Sequence, residues 1–275
     1  MGKLIEGDDG LPAEIVGKWA KDKHDLLRRY IDITKSARSK YLPPDNKGGA
    51  AYIDLFCGPG RCQIEDTSEW IDGSPIVAWR QSVASNSPFT RVIVGDSDQK
   101  RVDACVTRLK ALGAPVLGLH GTAKDTAFRA RKSAPVYGLN LAFLDPYNLE
   151  SLHFDIIEAL AKIPRIDVLV HFSAMDLQRN LDVHLLAEDS AFDSFAPGWR
   201  DVVHRRSVAR TREDFFEYWR NLVGTTGAYT SKDVRLITGS KNQRLYWLLL
   251  AAKHDLAHKF WSAISRSTVQ GSLDL

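Results

Sequence analysis

The sequence predicts an α/β chain built on a mostly parallel, seven-stranded sheet that ends in an antiparallel hairpin. Three observations carry this. Five short apolar runs alternate with amphipathic stretches between residues 51 and 172, the pattern of successive βαβ units. Those runs are almost continuously apolar, as strands are when helices cover both faces of a parallel sheet. Two further strand-like runs, 234–237 and 245–252, are separated by a short polar stretch. So short a connection forces an antiparallel pair, because a parallel return needs a longer crossover.

Each element follows in order. Residues 1–14 are polar and hold Gly2, Gly7 and Gly10, which predicts a loose arm. Over 15–41 the residues Trp19, Leu26, Leu27, Tyr30 and Ile33 recur at helical spacing, with Lys18, Lys21, Lys23, Arg28 and Arg29 forming a basic face. Pro43, Pro44, Gly48 and Gly49 end that helix, giving an N-terminal helical extension over 1–46 ahead of a main domain over 47–275. Strands are expected at 51–56, 91–95, 115–119, 139–144 and 166–172, and helices from Ser74 and at 99–112, 126–132 and 154–163. Ser74 followed by Pro75 reads as a cap with proline at the first helical position. A helix rich in Phe215, Phe216, Tyr218 and Trp219 precedes the hairpin.

Composition sets the broad class. With 44% apolar and 26% charged residues over 275 positions, the chain is of ordinary globular make-up. Cys57, Cys62 and Cys105 are an odd, unpaired set, which argues against a disulfide framework and for a reducing compartment, and gives no metal site. No apolar run approaches the roughly 18 residues that span a bilayer, and the acidic N-terminus has no apolar leader. A cytoplasmic protein with no membrane association is expected. A net charge of +3 names no partner.

The chemistry sits at strand ends. The run Tyr52-Ile53-Asp54-Leu55-Phe56-Cys57-Gly58-Pro59-Gly60 closes the first sheet strand, the edge where open α/β sheets bind ligands. Its glycines let backbone approach a ligand closely. Asp54 is placed to hold the loop or to meet a ligand amino group. The third glycine of the dinucleotide fingerprint is missing, with Arg61, Cys62 and Gln63 in its place. A ligand without a pyrophosphate, S-adenosylmethionine (SAM), suits this turn better than NAD. Asp96 ends the next strand and can accept hydrogen bonds from ribose hydroxyls; Asp98 reads as a helix cap. The two acids, Asp54 and Asp96, lie 42 residues apart, with 63–72 as an insertion. Asp145-Pro146-Tyr147 ends the fourth strand. Proline fixes that turn, so the Asp145 carboxylate and neighbouring carbonyls can converge on an amine, with Tyr147 free to stack on a flat base.

These pieces resemble the amino-group methyltransferases of nucleic acids, whose motif is Asp-Pro-Pro-Tyr or similar; this chain is one proline short. More broadly the sequence is similar to the three-Cys-motif partner protein (TcmP) family. The shared pieces are Trp19, Lys23-His24, Leu27 and Tyr30, the run 52–60, and Gly73-Ser74-Pro75-Ile76. They continue with Leu144-Asp145-Pro146-Tyr147, the run 167–173, Leu245-Tyr246-Trp247 and Ala252-Lys253-His254. The resemblance implies a Rossmann-like class I methyltransferase fold, SAM as cofactor and a three-Cys-motif protein as partner. Such families often carry Asp-Ala at the third strand end, where this chain has Thr122-Ala123, so Thr122 takes the adenine-facing place.

The expected site is therefore Asp145, Pro146 and Tyr147 for the acceptor, and Asp54, Phe56, Cys57, Gly58, Pro59, Gly60, Asp96 and Thr122 for the cofactor. His171 at the fifth strand end, Arg179 and Asn180 just beyond it, and the basic residues Arg205 and Arg206 are candidate substrate contacts. The basic loop and basic helix together suit a nucleic-acid backbone, with Trp199 and Tyr229 near enough to stack on bases. Cys57 reads as a packing residue. Three readings stay open: methylation of an exocyclic amine on a nucleic-acid base, a SAM-binding or silent scaffold for a partner protein, and methylation of a small molecule.

Overall fold

The computed structural model of the chain describes residues 3–46, 48–204, 207–239 and 243–266. Two sheets organise it. The main one contains β3 (Ala51–Asp54), β6 (Arg91–Asp96), β7 (Val116–His120), β8 (Asn140–Leu144), β9 (Ile166–Phe172), β10 (Tyr229–Thr230), β11 (Arg235–Thr238) and β12 (Arg244–Ala252). Its order is β10-β12-β9-β8-β3-β6-β7, with β11 also on β12. β10 pairs with Ala251 and Ala252, and β11 with the segment up to Leu248. The two short strands thus share one edge, and the sheet has seven positions filled by eight strands. β7, β6, β3, β8 and β9 are mutually parallel, and β12 is antiparallel to β9.

The expected alternation is present. Helix α3 (Ser74–Ala84) follows β3, α4 (Gln99–Ala111) follows β6, α5 (Ala123–Ser133) follows β7 and α6 (Phe154–Ala161) follows β8. Side chains alternate across the sheet, as period-2 strands require. Ala51 and Ile53 enter one apolar cluster with α6, while Tyr52 enters the other with α3. The first cluster is sealed by α8 (Ala191–Phe195) and α9 (Val208–Gly224), whose Phe195 and Trp219 stack with centroids 5.5 Å apart. The second is sealed by α1 (Ala20–Ile33) and α10 (Asp255–Ser265), with α2 (Lys35–Ser39) continuing α1. Trp199, expected near bases, is fully buried in the first cluster and donates its indole N–H to Asp193 at 2.7 Å. It is a core residue and cannot stack on a ligand.

The arm expected to be loose is ordered. β1 (Leu4–Glu6) and β2 (Pro12–Val16) form a hairpin, and β2 runs parallel to β4 (Arg61–Ile64), which pairs with β5 (Trp70–Asp72). The insertion at 63–72 is thus mainly a strand pair that recruits the N-terminal strands. Arg108 of α4 locks this sheet down, donating to Pro12 O at 2.7 Å and Pro59 O at 2.6 Å and pairing with Asp9. The helix expected from Ile15 therefore starts at Ala20, because Ile15 lies in β2. No helix among the described residues is long and apolar enough to cross a membrane.

Candidate active site

Parallel strands align their carboxyl ends, so the residues that close β3, β6, β7, β8 and β9 meet at one edge. Because β3 pairs with β8, Asp54 opposite Phe143, the 55–60 turn and the 145–147 turn leave the sheet side by side. The helices change sides between these two strands, which is where open α/β sheets bind ligands.

The first turn is held by a buried acid. Asp54 is fully buried and accepts from Phe56 N–H at 3.2 Å, Ser74 O–H at 2.7 Å and Tyr52 O–H at 3.0 Å. Burial pushes its carboxyl up to about 7. Of the two jobs expected of Asp54, the arrangement is the loop-holding one. Ser74 was expected to cap α3; its hydroxyl serves Asp54 instead, and Gly73 occupies the cap position. Gly58 and Gly60 adopt left-handed φ values of +55° and +83°. A Cβ on Gly58 would lie 2.8 Å from a carboxylate oxygen of Glu14, which Arg101 holds in an ion pair. Pro59 is buried beside them, Phe56 is half-buried, and Cys57 packs in the core with burial holding its thiol well above the usual range.

Asp96 ends β6 with one oxygen accepting Gly58 N–H at 3.1 Å and the other accepting Asp98 N–H at 3.0 Å. Burial raises its carboxyl. Asp98 caps α4, accepting Lys100 N–H at 2.8 Å. Thr122 lies two residues beyond β7 and caps α5; its exposed hydroxyl accepts Asp125 N–H at 3.2 Å and donates to the Asp125 carboxylate at 2.8 Å.

The fourth strand end carries the densest chemistry. Leu144 pairs with Val170, so one step further places Asp145 beside His171. His171 Nδ1 lies 2.5 Å from one Asp145 oxygen, and Lys23 from α1 pairs with the other. The side chains of Lys23, Asp145 and His171 are 12%, 17% and 12% exposed. Burial alone would raise the Asp145 carboxyl, but the Lys23 charge and the His171 hydrogen bond outweigh it and hold it well below the usual range. His171 is pushed down by burial, only partly offset by Asp145, so its ring is neutral near pH 7. A carboxylate only accepts, so Nδ1 is the donor and the lone pair sits on Nε2. The Tyr246 ring packs on His171 with centroids 3.8 Å apart.

Lys23 and Tyr246 were not among the residues expected here. Lys23 precedes Leu26, Leu27 and Tyr30 by three, four and seven residues, which places it on the buried stripe rather than the basic face. Tyr30 confirms the lie of the helix, donating to Asp167 at 2.9 Å near the other end of β9. Three more residues of that basic face are met by acids: Lys21 by Glu69, and Arg28 and Arg29 by Asp25.

Pro146 is buried while Tyr147 is 72% exposed, free to cover a ligand at the rim. Beyond β9, α7 (Ala174–Leu186) is capped by Ser173. Its Asp176 accepts Leu149 N–H at 2.7 Å and so braces the loop that follows Tyr147. Asn180 is committed to Asp176 at 2.5 Å, whereas Arg179 is exposed and lines a pocket with Met175. Arg205 and Arg206 lie outside the described residues. Tyr229 donates to Asp255 and stacks on His258 at 4.1 Å.

The donor set fits SAM. Three carboxylates, those of Asp54, Asp96 and Asp145, are buried or nearly so at one edge, with Glu14 beside the glycine turn. A ligand bringing ribose hydroxyls and positive charge complements them. Asp96, the Gly58-Pro59-Gly60 turn and Phe56 could hold it, with Asp54 acting through the turn.

No family model matches the chain, and no curated protein matches it in sequence. Solved structures do match. An O-methyltransferase from Bacillus cereus in complex with SAH superposes with a TM-score of 0.50 at 12% identity, covering 84% of this chain and 81% of that one. A protein from Legionella pneumophila matches with a TM-score of 0.48 at 12% identity over 84% and 85%. A bifunctional kinase-methyltransferase matches with 0.46 at 10% identity over 86% of this chain and 40% of its own. Together with the strand order, the first of these shows that the chain has the Rossmann-like fold of class I SAM-dependent methyltransferases.

Proposed function

We propose that the protein is a SAM-dependent methyltransferase that acts on an exocyclic amino group of a nucleic-acid base. The observation that carries this reading is the pairing of β3 with β8, which sets the glycine turn next to Asp145-Pro146-Tyr147. SAM would supply an electrophilic methyl group on a sulfonium. Asp145 would accept a hydrogen bond from the acceptor amine and orient its lone pair, and the pairing of Asp145 with Lys23 supports this, because a nitrogen donor already satisfies that oxygen. The acceptor must then displace the Lys23 ammonium. His171 Nε2 is suited to take a proton as the amine loses it. Tyr147 would stack on the base, which a duplex must first extrude.

The test is calorimetry with SAM and with its demethylated product, followed by radiolabelled methyl transfer to mixed DNA and RNA. Asp145→Ala should abolish transfer and leave SAM affinity within about threefold, since less than a kcal/mol of binding is at stake. No heat with either ligand would overturn the cofactor assignment. Equal loss of binding and transfer in the variant would overturn the role of Asp145.

A second reading has one observation in its favour: the Asp145 carboxylate is already paired with Lys23. A silent scaffold docked to a three-Cys-motif protein, as the family resemblance implies, would look the same. Lys23→Ala separates the two, since it frees Asp145 and should raise transfer by an active enzyme but leave a scaffold at zero. The three free, buried cysteines favour a reducing, cytoplasmic setting.

A further inference from the structure

Between α7 and the start of β12 lies a pocket of about 360 Å³, lined by Met175, Gln178 and Arg179 of α7 and by Gln243 and Arg244. That volume is within the range of roughly 300–1,000 Å³ in which small ligands bind. Two arginines and two glutamines are among its lining residues, with no acid.

The two arginines differ from their neighbours. Arg200 pairs with Asp193, Arg210 with Glu213, Arg220 with Glu217 and Arg266 with Asp233. Among the described residues, the side chains of Arg179 and Arg244 have neither an ion pair nor a hydrogen bond. A third arginine, Arg212, donates to the Gln178 carbonyl at 3.1 Å while its buried Nε finds no partner. Guanidinium groups gathered without acids repel one another unless an anion lies between them. Their forked donors match the oxygens of a phosphate.

The pocket is tied to the acceptor site through both of its walls. β12 runs from Arg244 to Tyr246, whose ring packs on His171, and α7 follows directly from the β9 strand that carries His171. Two residues of strand span about 7 Å. The β11–β12 register slips between Ile237 and Thr238. That bulge lies between Arg244 and Tyr246, and bulges of this kind re-aim side chains next to active sites.

We infer that this pocket is a phosphate-binding site that anchors the methyl acceptor. Its part in methyl transfer rests on the function proposed above, while its binding chemistry does not. The acceptor is then a phosphate ester whose anion sits at Arg179 and Arg244 and whose reacting group reaches toward Asp145.

The test is calorimetry at low salt with inorganic phosphate, adenosine 5′-monophosphate, adenosine and a short single-stranded oligonucleotide, with SAM titrated in parallel. The proteins are the wild type, Arg179→Gln, Arg244→Gln, the double variant and Arg179→Lys. The monophosphate should bind at least about tenfold more tightly than adenosine. Each glutamine variant should lose about tenfold of that affinity, and the lysine variant should recover part of it, with SAM affinity unchanged. Tighter binding of the oligonucleotide assigns the phosphate to a polymer, and tighter binding of the monophosphate assigns it to a small acceptor. Equal affinity for monophosphate and adenosine, or no loss in the double variant, overturns the site. Loss of SAM binding alone would overturn the methyltransferase reading and leave the phosphate site standing.

Discussion

Replacing Lys23 by Met keeps the aliphatic stem and deletes the ammonium that faces Asp145. Breaking a fully buried ion pair from one side costs about 3–5 kcal/mol. Here the two side chains retain 12% and 17% exposure, and His171 still donates to the carboxylate. The expected cost is therefore roughly 2 kcal/mol, or about 5 °C in Tm for a chain of this size. Asp145→Asn removes the charge from the other side, and the double variant Lys23→Met/Asp145→Asn leaves no unpaired ion. Urea unfolding of all four proteins should give a coupling energy of at least about 1 kcal/mol. The pH dependence has a definite sign. The folded carboxyl lies below its ordinary value of 3.8, so the stabilisation is present above that value and is lost as pH falls through the folded one. The gap between wild type and Lys23→Met should thus narrow below pH 4. Additivity within about 0.3 kcal/mol, or a gap that widens in acid, would refute the pairing.

Other outcomes follow from the same geometry. Asp54 is raised from 3.8 to about 7, so its contribution is greatest below pH 4 and declines as pH rises toward 7; Asp54→Asn should flatten that decline in urea midpoints measured from pH 4 to 8. Gly58→Ala forces a side chain at φ +55° against Glu14 and should cost about 1–3 kcal/mol by thermal unfolding. Asp96→Ala should weaken SAM binding in calorimetry by roughly tenfold or more, because it deletes a charged acceptor that also fixes Gly58 N–H.

The main sheet was legible because burial on both faces writes continuous apolar runs. β9 falls at 166–172 as expected, and β12 begins one residue earlier than expected, at Arg244. β1 and β2 were not legible: they are only three and five residues long, and what orders them is the pairing of β2 with β4 far along the chain. α10 has no counterpart among the sequence-based expectations, although Trp261 and Ile264 mark its buried face. Within the site, Asp145 and His171 were each nominated from their strand ends, but their contact depends on register, which a single strand does not encode. Lys23 carried a signal in its spacing to Leu26, Leu27 and Tyr30, masked by the lysines and arginines around it. Trp199 misled because a tryptophan beside arginines looks alike whether it faces solvent or core.

The route from Arg108 to Asp9, Pro12 and Pro59 has a mechanical consequence. β2, whose Glu14 lies against Gly58, is paired with β1 at the leading end of the described chain, so load applied ahead of Leu4 passes through this hairpin to that turn. A bulky fusion or surface tether at this end would pull on the Gly58–Gly60 turn itself.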